Sequence, residues 1–322
     1  MIKTTALLFL FFLSFSEGSS QEQTFLFGFY NLENFFDTED DSTTRDEEFT
    51  PNGSRFWTEK RFNQKISRLG SAILSIGDWE TVDLLGVCEV ENRFCLDRLI
   101  ENGGLAKYDY EVVHFDSPDR RGIDVALIYR SERIKLIEAE NIPIHLSWNA
   151  SFRTRDILKA SFQIGGDTLH VFINHWPSKY GGALKTAPFR NAVAEVLANR
   201  ILEISKAHPG HRILVMGDLN AESGEECLEI LESKTSMVSA FDHKLGSHKY
   251  QNKWSTIDRI FVNQSFMERF DILNTGVHRA PMLLEADHKF LGDKPKRSFV
   301  GLKYQDGYSD HLPVYINFQV SQ

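Results

Sequence analysis

Cysteine is scarce: the chain has 322 residues and 3 Cys, namely Cys88, Cys95 and Cys227. Three are too few for a disulfide framework, and their spacing fits no metal knuckle. Cys88 stands in an apolar run and reads as a small buried residue rather than a reactive thiol. A Cys88–Cys95 bridge is left open. Long apolar runs are missing after the first 20 residues, so no later segment is expected to cross a bilayer as a helix. No Pro/Gly/Ser-rich linker and no internal repeat divides the chain. Residues 21–322 are therefore expected to form a single domain. Positive charge is in deficit, with 36 Lys and Arg against 45 Asp and Glu and a net charge of -9. Such a chain lacks the broad positive field behind sequence-blind binding to nucleic acid. Much of the acidic excess is local, in Asp37, Glu39, Asp40, Asp41, Asp46, Glu47 and Glu48. That cluster reads as a solvated loop, with a calcium site as the alternative.

The amino terminus has a short basic start, Met1-Ile2-Lys3, then the apolar stretch from Ala6 to Leu13 and small residues to Ser20. This pattern predicts a secretory signal peptide over residues 1–20 and a secreted or periplasmic mature chain. A retained membrane anchor is the alternative. No stable membrane insertion of the mature chain and no protein partner are expected.

Thr24 to Tyr30 predicts a strand ending at Asn31. Phe62, Ile66, Leu69, Ile73 and Leu74 have helical spacing over residues 60–76. Val82 to Cys88 reads as a strand covered on both faces, ending at Glu89. Strands are expected at Tyr110–Phe115 and Ile123–Tyr129. A hairpin is expected from Ile157–Ile164 and Thr168–Ile173, ending at Asn174-His175. An amphipathic helix over 187–205 precedes a buried strand, Ile213–Met216, that ends at Asp218. Ile257–Val262 and Val314–Val320 complete the set. Hairpins outnumber strand-helix-strand crossovers, which predicts an α+β class with two facing sheets and helices outside.

The polar residues at these strand ends suit one chemistry. Hydrolysis of a phosphoester needs a cation to offset the phosphoryl charge, and magnesium prefers oxygen ligands. Glu89 is the candidate ligand. Asp218 can deprotonate a water, and Asn220 can orient the water or the phosphoryl group. His175 and His311 can stabilise the transition state or protonate the leaving oxygen, with Asp258 fixing the tautomer of one of them. His248 to Trp254, including Tyr250 and Trp254, interleaves basic and aromatic residues. With Arg153, Arg155, Lys179, Lys294, Lys296 and Arg297, it could contact phosphates and stack on bases.

The ordered segments Phe29-Tyr30-Asn31-Leu32-Glu33-Asn34, Gly86-Val87-Cys88-Glu89-Val90-Glu91-Asn92, Gly122–Arg130, Ile173-Asn174-His175-Trp176-Pro177-Ser178, Gly217-Asp218-Leu219-Asn220, Ser255–Ile260 and Ser309-Asp310-His311-Leu312-Pro313-Val314 resemble the endonuclease/exonuclease/phosphatase superfamily. That group includes DNase I-like nucleases, abasic-site endonucleases, bacterial sphingomyelinases and inositol-polyphosphate 5-phosphatases. The resemblance spans essentially the whole mature chain. It implies a four-layered α/β/β/α sandwich and a metal-dependent phosphoesterase, using Mg2+ or Mn2+. It implies Glu89 as the main metal ligand with Asn31 and Asp310 close by, and Asp218 and Asn220 on the water and phosphate. It further implies His311 paired with Asp258, and Asn174 and His175 on the phosphate. Arg153, Lys179, Tyr250 and Trp254 are the added candidates for substrate binding. Cys88 departs from the pattern, since many relatives carry Gln before the metal-binding Glu. The expected function is a secreted Mg2+-dependent phosphodiesterase, an endonuclease on nucleic acid. The alternatives are a lipid or inositol-phosphate phosphoesterase and, from another class, a non-catalytic binding module on the same scaffold.

Overall fold

The computed structural model describes residues 23–77, 81–240 and 246–320. The expected signal peptide lies outside them. Twelve strands form two six-stranded sheets. In chain order they are β1 (Thr24–Phe35), β2 (Leu84–Val90), β3 (Tyr110–His114), β4 (Asp124–Arg130), β5 (Lys135–Ile142), β6 (Ile157–Ile164), β7 (Asp167–His175), β8 (Arg212–Asp218), β9 (Val238–Ser239), β10 (Asp258–Val262), β11 (Phe270–Val277) and β12 (Val314–Val320). The first sheet runs β11-β12-β1-β2-β4-β3 and the second β5-β6-β7-β8-β10-β9. Among the described residues only β1–β2 and β7–β8 pair in parallel. Each of these two pairs needs a crossover helix. Helix α1 (Glu59–Ser75) supplies the first and α3 (Ala183–Ala207) the second. Helices α2 (Arg93–Asn102), α4 (Glu226–Thr235) and α5 (Gln264–Arg269) complete the set.

Alternation along the strands assigns each face. In β8, Leu214 and Met216 join the core that also holds the first sheet, while Ile213 and Val215 pack with Val193, Leu197 and Ile201 of α3. In β7, Leu169, Val171 and Ile173 face inward and Phe172 faces α3. Phe62, Ile66, Leu69 and Ile73 of α1 lie in the core of the first sheet. The result is helix, sheet, sheet, helix: the four-layered α/β/β/α sandwich of the α+β class that the sequence predicts. The sheets approach closely at Gly86, where an added Cβ would lie 2.5 Å from Ile173 Cδ1.

The edge strands differ from the centre. In β5 no residue is buried, and Ile137 is exposed. Burying a Leu or Phe fully contributes about 1.5–3 kcal/mol, so the central strands carry the stability and β5 adds little. All three cysteines are buried free thiols, so Cys88 and Cys95 are not bridged.

Candidate active site

Register builds the site. In the second sheet His175 is the partner of Asp218, and Asp218 the partner of Asp258. These three residues share a row across β7, β8 and β10. Their parity matches Ile173, Met216 and Ile260, all of which face the other sheet. Three functional side chains therefore reach the gap between the sheets at one rim. In the first sheet Asn31 pairs with Cys88, two residues beyond the close approach at Gly86. The segment Ser309–His311, just before β12, closes the rim. Ser309 Oγ donates to Asn31 O at 2.7 Å.

Glu89 owes its direction to a bulge. The pairing of β2 with β4 shifts between Cys88 and Val90, and Glu89 sits there with φ 58°. Glu33 and Asn34 (φ 50° and 52°) and Asn220 (φ 49°) are also left-handed. Left-handed backbone is unfavourable for residues other than glycine and costs on the order of 1–3 kcal/mol each. Four such residues at one rim mark where packing holds the backbone against its preference. The turn at Glu33 and Asn34 lets Asn34 N donate to Glu89 Oε2 at 3.0 Å.

Asp218 is central. Its Oδ1 accepts from Asn220 N at 3.0 Å and its Oδ2 from Asn31 Nδ2 at 3.2 Å. His175 Nε2 lies 3.7 Å and His311 Nε2 3.8 Å from the same Oδ2. Burial pushes the Asp218 carboxyl up to about 7, with His311 opposing the rise and Asp258 adding to it. His311 Nδ1 is 2.7 Å from Asp258 Oδ2. Burial disfavours an imidazolium there, but Asp258, then Asp218 and Asp310, outweigh it and hold His311 well above the ordinary imidazole value. His175 goes the other way. Burial, together with Arg155, keeps it neutral. Its Nε2 also faces Glu89 Oε1 at 3.9 Å. Asp310 Oδ2 takes Arg297 Nη2 at 2.9 Å. Burial would raise this carboxyl, but Arg297 outweighs it and holds Asp310 below the usual range.

Glu33, Lys65 and Ser298 also belong to the site, although no motif in the sequence gives them a role. Glu33 is buried and accepts from Ser298 N at 2.6 Å and Arg297 Nε at 3.1 Å. Lys65 of α1 is buried and donates to Ser298 Oγ and to Tyr308 O. Burial lowers the Lys65 ammonium to about 8, against the pull of Glu33 and Asp310. Lys65, Ser298, Glu33, Arg297 and Asp310 thus form one chain of contacts behind the rim. His248 lies against His311, with ring centroids 4.7 Å apart. Its burial and the His311 charge lower it to about 4. A signal for Lys65 existed, since it falls on the same helical face as Phe62 and Leu69.

The remaining candidates lie around the reacting groups. Asn174 is fully buried, donating to Met216 O and accepting from Trp176 Nε1. Asn220 Nδ2 donates to Trp176 O at 3.1 Å, and Arg155 Nη2 to the same oxygen at 2.8 Å. Lys179 pairs with Glu225. Arg153 bonds to Ala150 O and Phe152 O. Trp254 packs against the core under Arg279, whose Cζ is 4.1 Å from the ring centre. Tyr250 is exposed and lines a cavity of about 440 Å3 together with Lys249, Lys294, Arg297 and Asp310.

The donor set fits the expected ion. Glu89 and Asp310 offer carboxylates and Asn31 an amide oxygen, with no thiolate among them. Magnesium and manganese suit such oxygen donors and accept one or two carboxylates plus water.

The sequence matches the model of the Endonuclease/Exonuclease/phosphatase family over residues 26–320. No curated protein matches it. Among solved structures it is similar to the human Nocturnin catalytic domain with bound sulfate, at 18% identity and TM-score 0.58, covering 92% of this chain and 95% of that one. A mannosyl-6-phosphatase from Bacteroides thetaiotaomicron aligns at 15% identity and TM-score 0.60, over 91% and 99%. D. rerio TDP2 complexed with single strand DNA product aligns at 14% identity and TM-score 0.56, over 92% and 99%.

Proposed function

We propose that this chain, which belongs to the Endonuclease/Exonuclease/phosphatase family and is thus a phosphoesterase, a hydrolase acting on ester bonds, is a secreted magnesium- or manganese-dependent phosphodiesterase acting on nucleic acid. The observation that carries the reading is Asp218 Oδ2 within 4 Å of two imidazoles, one of them clamped on Asp258. Glu89, Asn31 and Asp310 would hold the metal ion, whose charge would offset that of the phosphoryl oxygens. Asp218, poised near neutrality, takes a proton from the attacking water. The hydroxyl oxygen bonds to phosphorus as the ester oxygen leaves. His311, kept protonated by Asp258, gives that oxygen its proton. Neutral His175 donates a hydrogen bond without adding charge. Asn220 holds the Asp218 turn from its backbone N–H and the Trp176 carbonyl from its side chain.

Tyr250 beside Lys294 and Arg297 supports an extended nucleic-acid substrate, since an exposed ring can stack on a base while cations meet phosphates. A second reading is a phosphomonoesterase on a sugar phosphate. The bounded cavity beside Asp310 and the likeness to a mannosyl-6-phosphatase favour it. Secretion rests on the leader at residues 1–20, and amino-terminal sequencing of exported protein tests it. Assaying single-stranded DNA, RNA, bis-p-nitrophenyl phosphate and mannose 6-phosphate side by side, with and without EDTA, separates the readings. Cleavage of the diesters over the monoester supports a phosphodiesterase. The reverse order sinks it in favour of the second reading.

A further inference from the structure

Given the reading of the chain as a phosphodiesterase on nucleic acid, on which this rests, we propose that the cavity beside Asp310 is the subsite for one nucleobase of the substrate. Tyr250 and Phe290 are its walls, and Lys249 is the positioning residue that fixes them relative to each other. The cavity holds about 440 Å3 and its lining includes Tyr250, Phe290, Arg297 and Asp310. That volume lies within the range of sites that take a small ring system. Asp310 joins it to the expected metal ligands. Single exposed aromatic residues are ordinary on a protein surface. Two that share a cavity with a metal-binding carboxylate make a stacking slot, because every base has a face that an aromatic ring can cover. Tyr250 is 69% exposed. Phe290 is half-buried, and Lys289 Nζ lies 4.9 Å from its ring centre. Such an exposed cation contact is weak, and a stacking base can replace it.

Both rings stand on hairpins outside the two large sheets. Tyr250 ends the first strand of the hairpin that pairs His248–Tyr250 with Lys253–Ser255. Phe290 lies in the turn between Leu284–Ala286 and Asp293–Pro295. Lys249, the neighbour of Tyr250, crosses from one hairpin to the other. Its Nζ donates to Asp287 Oδ2 at 2.9 Å, Leu291 O at 2.8 Å and Asp293 O at 3.0 Å. An ammonium has three protons, and all three are used inside that turn. The side chains of Lys249 and Asp287 are 4% and 5% exposed, so water competes little for these bonds. Asp287 Oδ1 accepts from Lys289 N at 3.1 Å and from Phe290 N at 3.0 Å. The carboxylate thus passes the hold of Lys249 to the backbone of Phe290. The turn runs against local preference: Leu291 is left-handed at φ 67° and 79% exposed, and a leucine gains nothing from either. What the buried cation fixes is the position of Phe290 relative to Tyr250.

Wild type in manganese is assayed on the thymidine dinucleotide and on two analogues that each lack one base. One analogue should be cleaved about 5–150-fold less efficiently in kcat/KM, the scale of stacking a single base, and the other should lose little. In Tyr250→Ala and Phe290→Ala the intact dinucleotide should fall toward that slower analogue, so that the penalty for the missing base disappears. Lys249→Met should shrink the same penalty. A merely structural loss would slow all three substrates together and leave the penalty as it was, and that result overturns the role of Lys249. Equal cleavage of the three by wild type, or a penalty that survives Phe290→Ala, overturns the subsite and leaves the phosphodiesterase standing. Cleavage of none of the three sinks the phosphodiesterase reading and the subsite with it.

Discussion

Replacing Asp218 by Asn should make the metal-free protein more stable while removing its activity. Asp218 is buried and its carboxyl sits near 7, against an ordinary value of 3.8. A raised carboxyl binds its proton more tightly in the folded state. The sign is therefore the reverse of a salt-bridged aspartate: stability is unaffected below about 4, falls as pH rises toward 7, and stays at the lower level above it. The gap from 3.8 to about 7 corresponds to about 4 kcal/mol at ~1.36 kcal/mol per pH unit. That is a ceiling. The carboxamide keeps one acceptor for Asn220 N but turns an NH2 toward Asn31 Nδ2, so roughly half should survive. Urea unfolding in EDTA from pH 4 to pH 8 measures it. Wild type and Asp218→Asn should coincide near pH 4, and the variant should lead by about 2 kcal/mol at pH 8. Turnover should fall at least ~100-fold, the lower scale for losing a general base. A variant less stable than wild type at pH 8 would refute the reasoning, because the site would then favour the Asp218 anion.

Three further outcomes follow from the same contacts. Asp258→Asn should cut turnover at least ~100-fold. Without its carboxylate partner His311 should lose its proton at lower pH, so the basic limb of the pH–rate profile should move down. Lys65→Met removes the buried donor to Ser298 Oγ and Tyr308 O, leaves Arg297 to hold Glu33 and Asp310, and should destabilise by about 1–3 kcal/mol, read by urea unfolding. Gly217→Ala would place a Cβ 2.3 Å from the Asn174 carbonyl oxygen. Backbone cannot swing aside as a side chain can, so a loss of about 1–3 kcal/mol is expected from the same measurement.

The site was legible where strand ends announced it. Asp218, Glu89 and His175 each close an apolar run, and strand register then sets them side by side. The contacts behind them were hidden. Glu33 follows Asn31 by two residues, but its inward direction depends on a left-handed turn that propensity disfavours. Lys65 stands on the apolar face of α1, yet a lysine there draws no attention until Ser298 and Tyr308 are placed against it. Arg297 and Asp310 meet through loops whose path no periodicity reports. Among the elements, the buried central strands were readable from their apolar runs. The edges β5 and β11 were not, because one-sided cover leaves Lys135, Glu138, Glu140, Asp271 and Asn274 to break the pattern. Asn174 and Trp254 illustrate a second gap: polar and aromatic residues beside a site also serve as its packing.

The most direct measurement is bis-p-nitrophenyl phosphate hydrolysis by wild type, Glu89→Gln and His311→Ala across a manganese titration after EDTA treatment. Wild type should be inactive without metal and recover on titration. Glu89→Gln should need far more metal, and His311→Ala should stay at least ~100-fold slower at saturation. Metal-independent turnover, or wild-type rates in both variants, would contradict a single hydrolytic centre built from the two sheets.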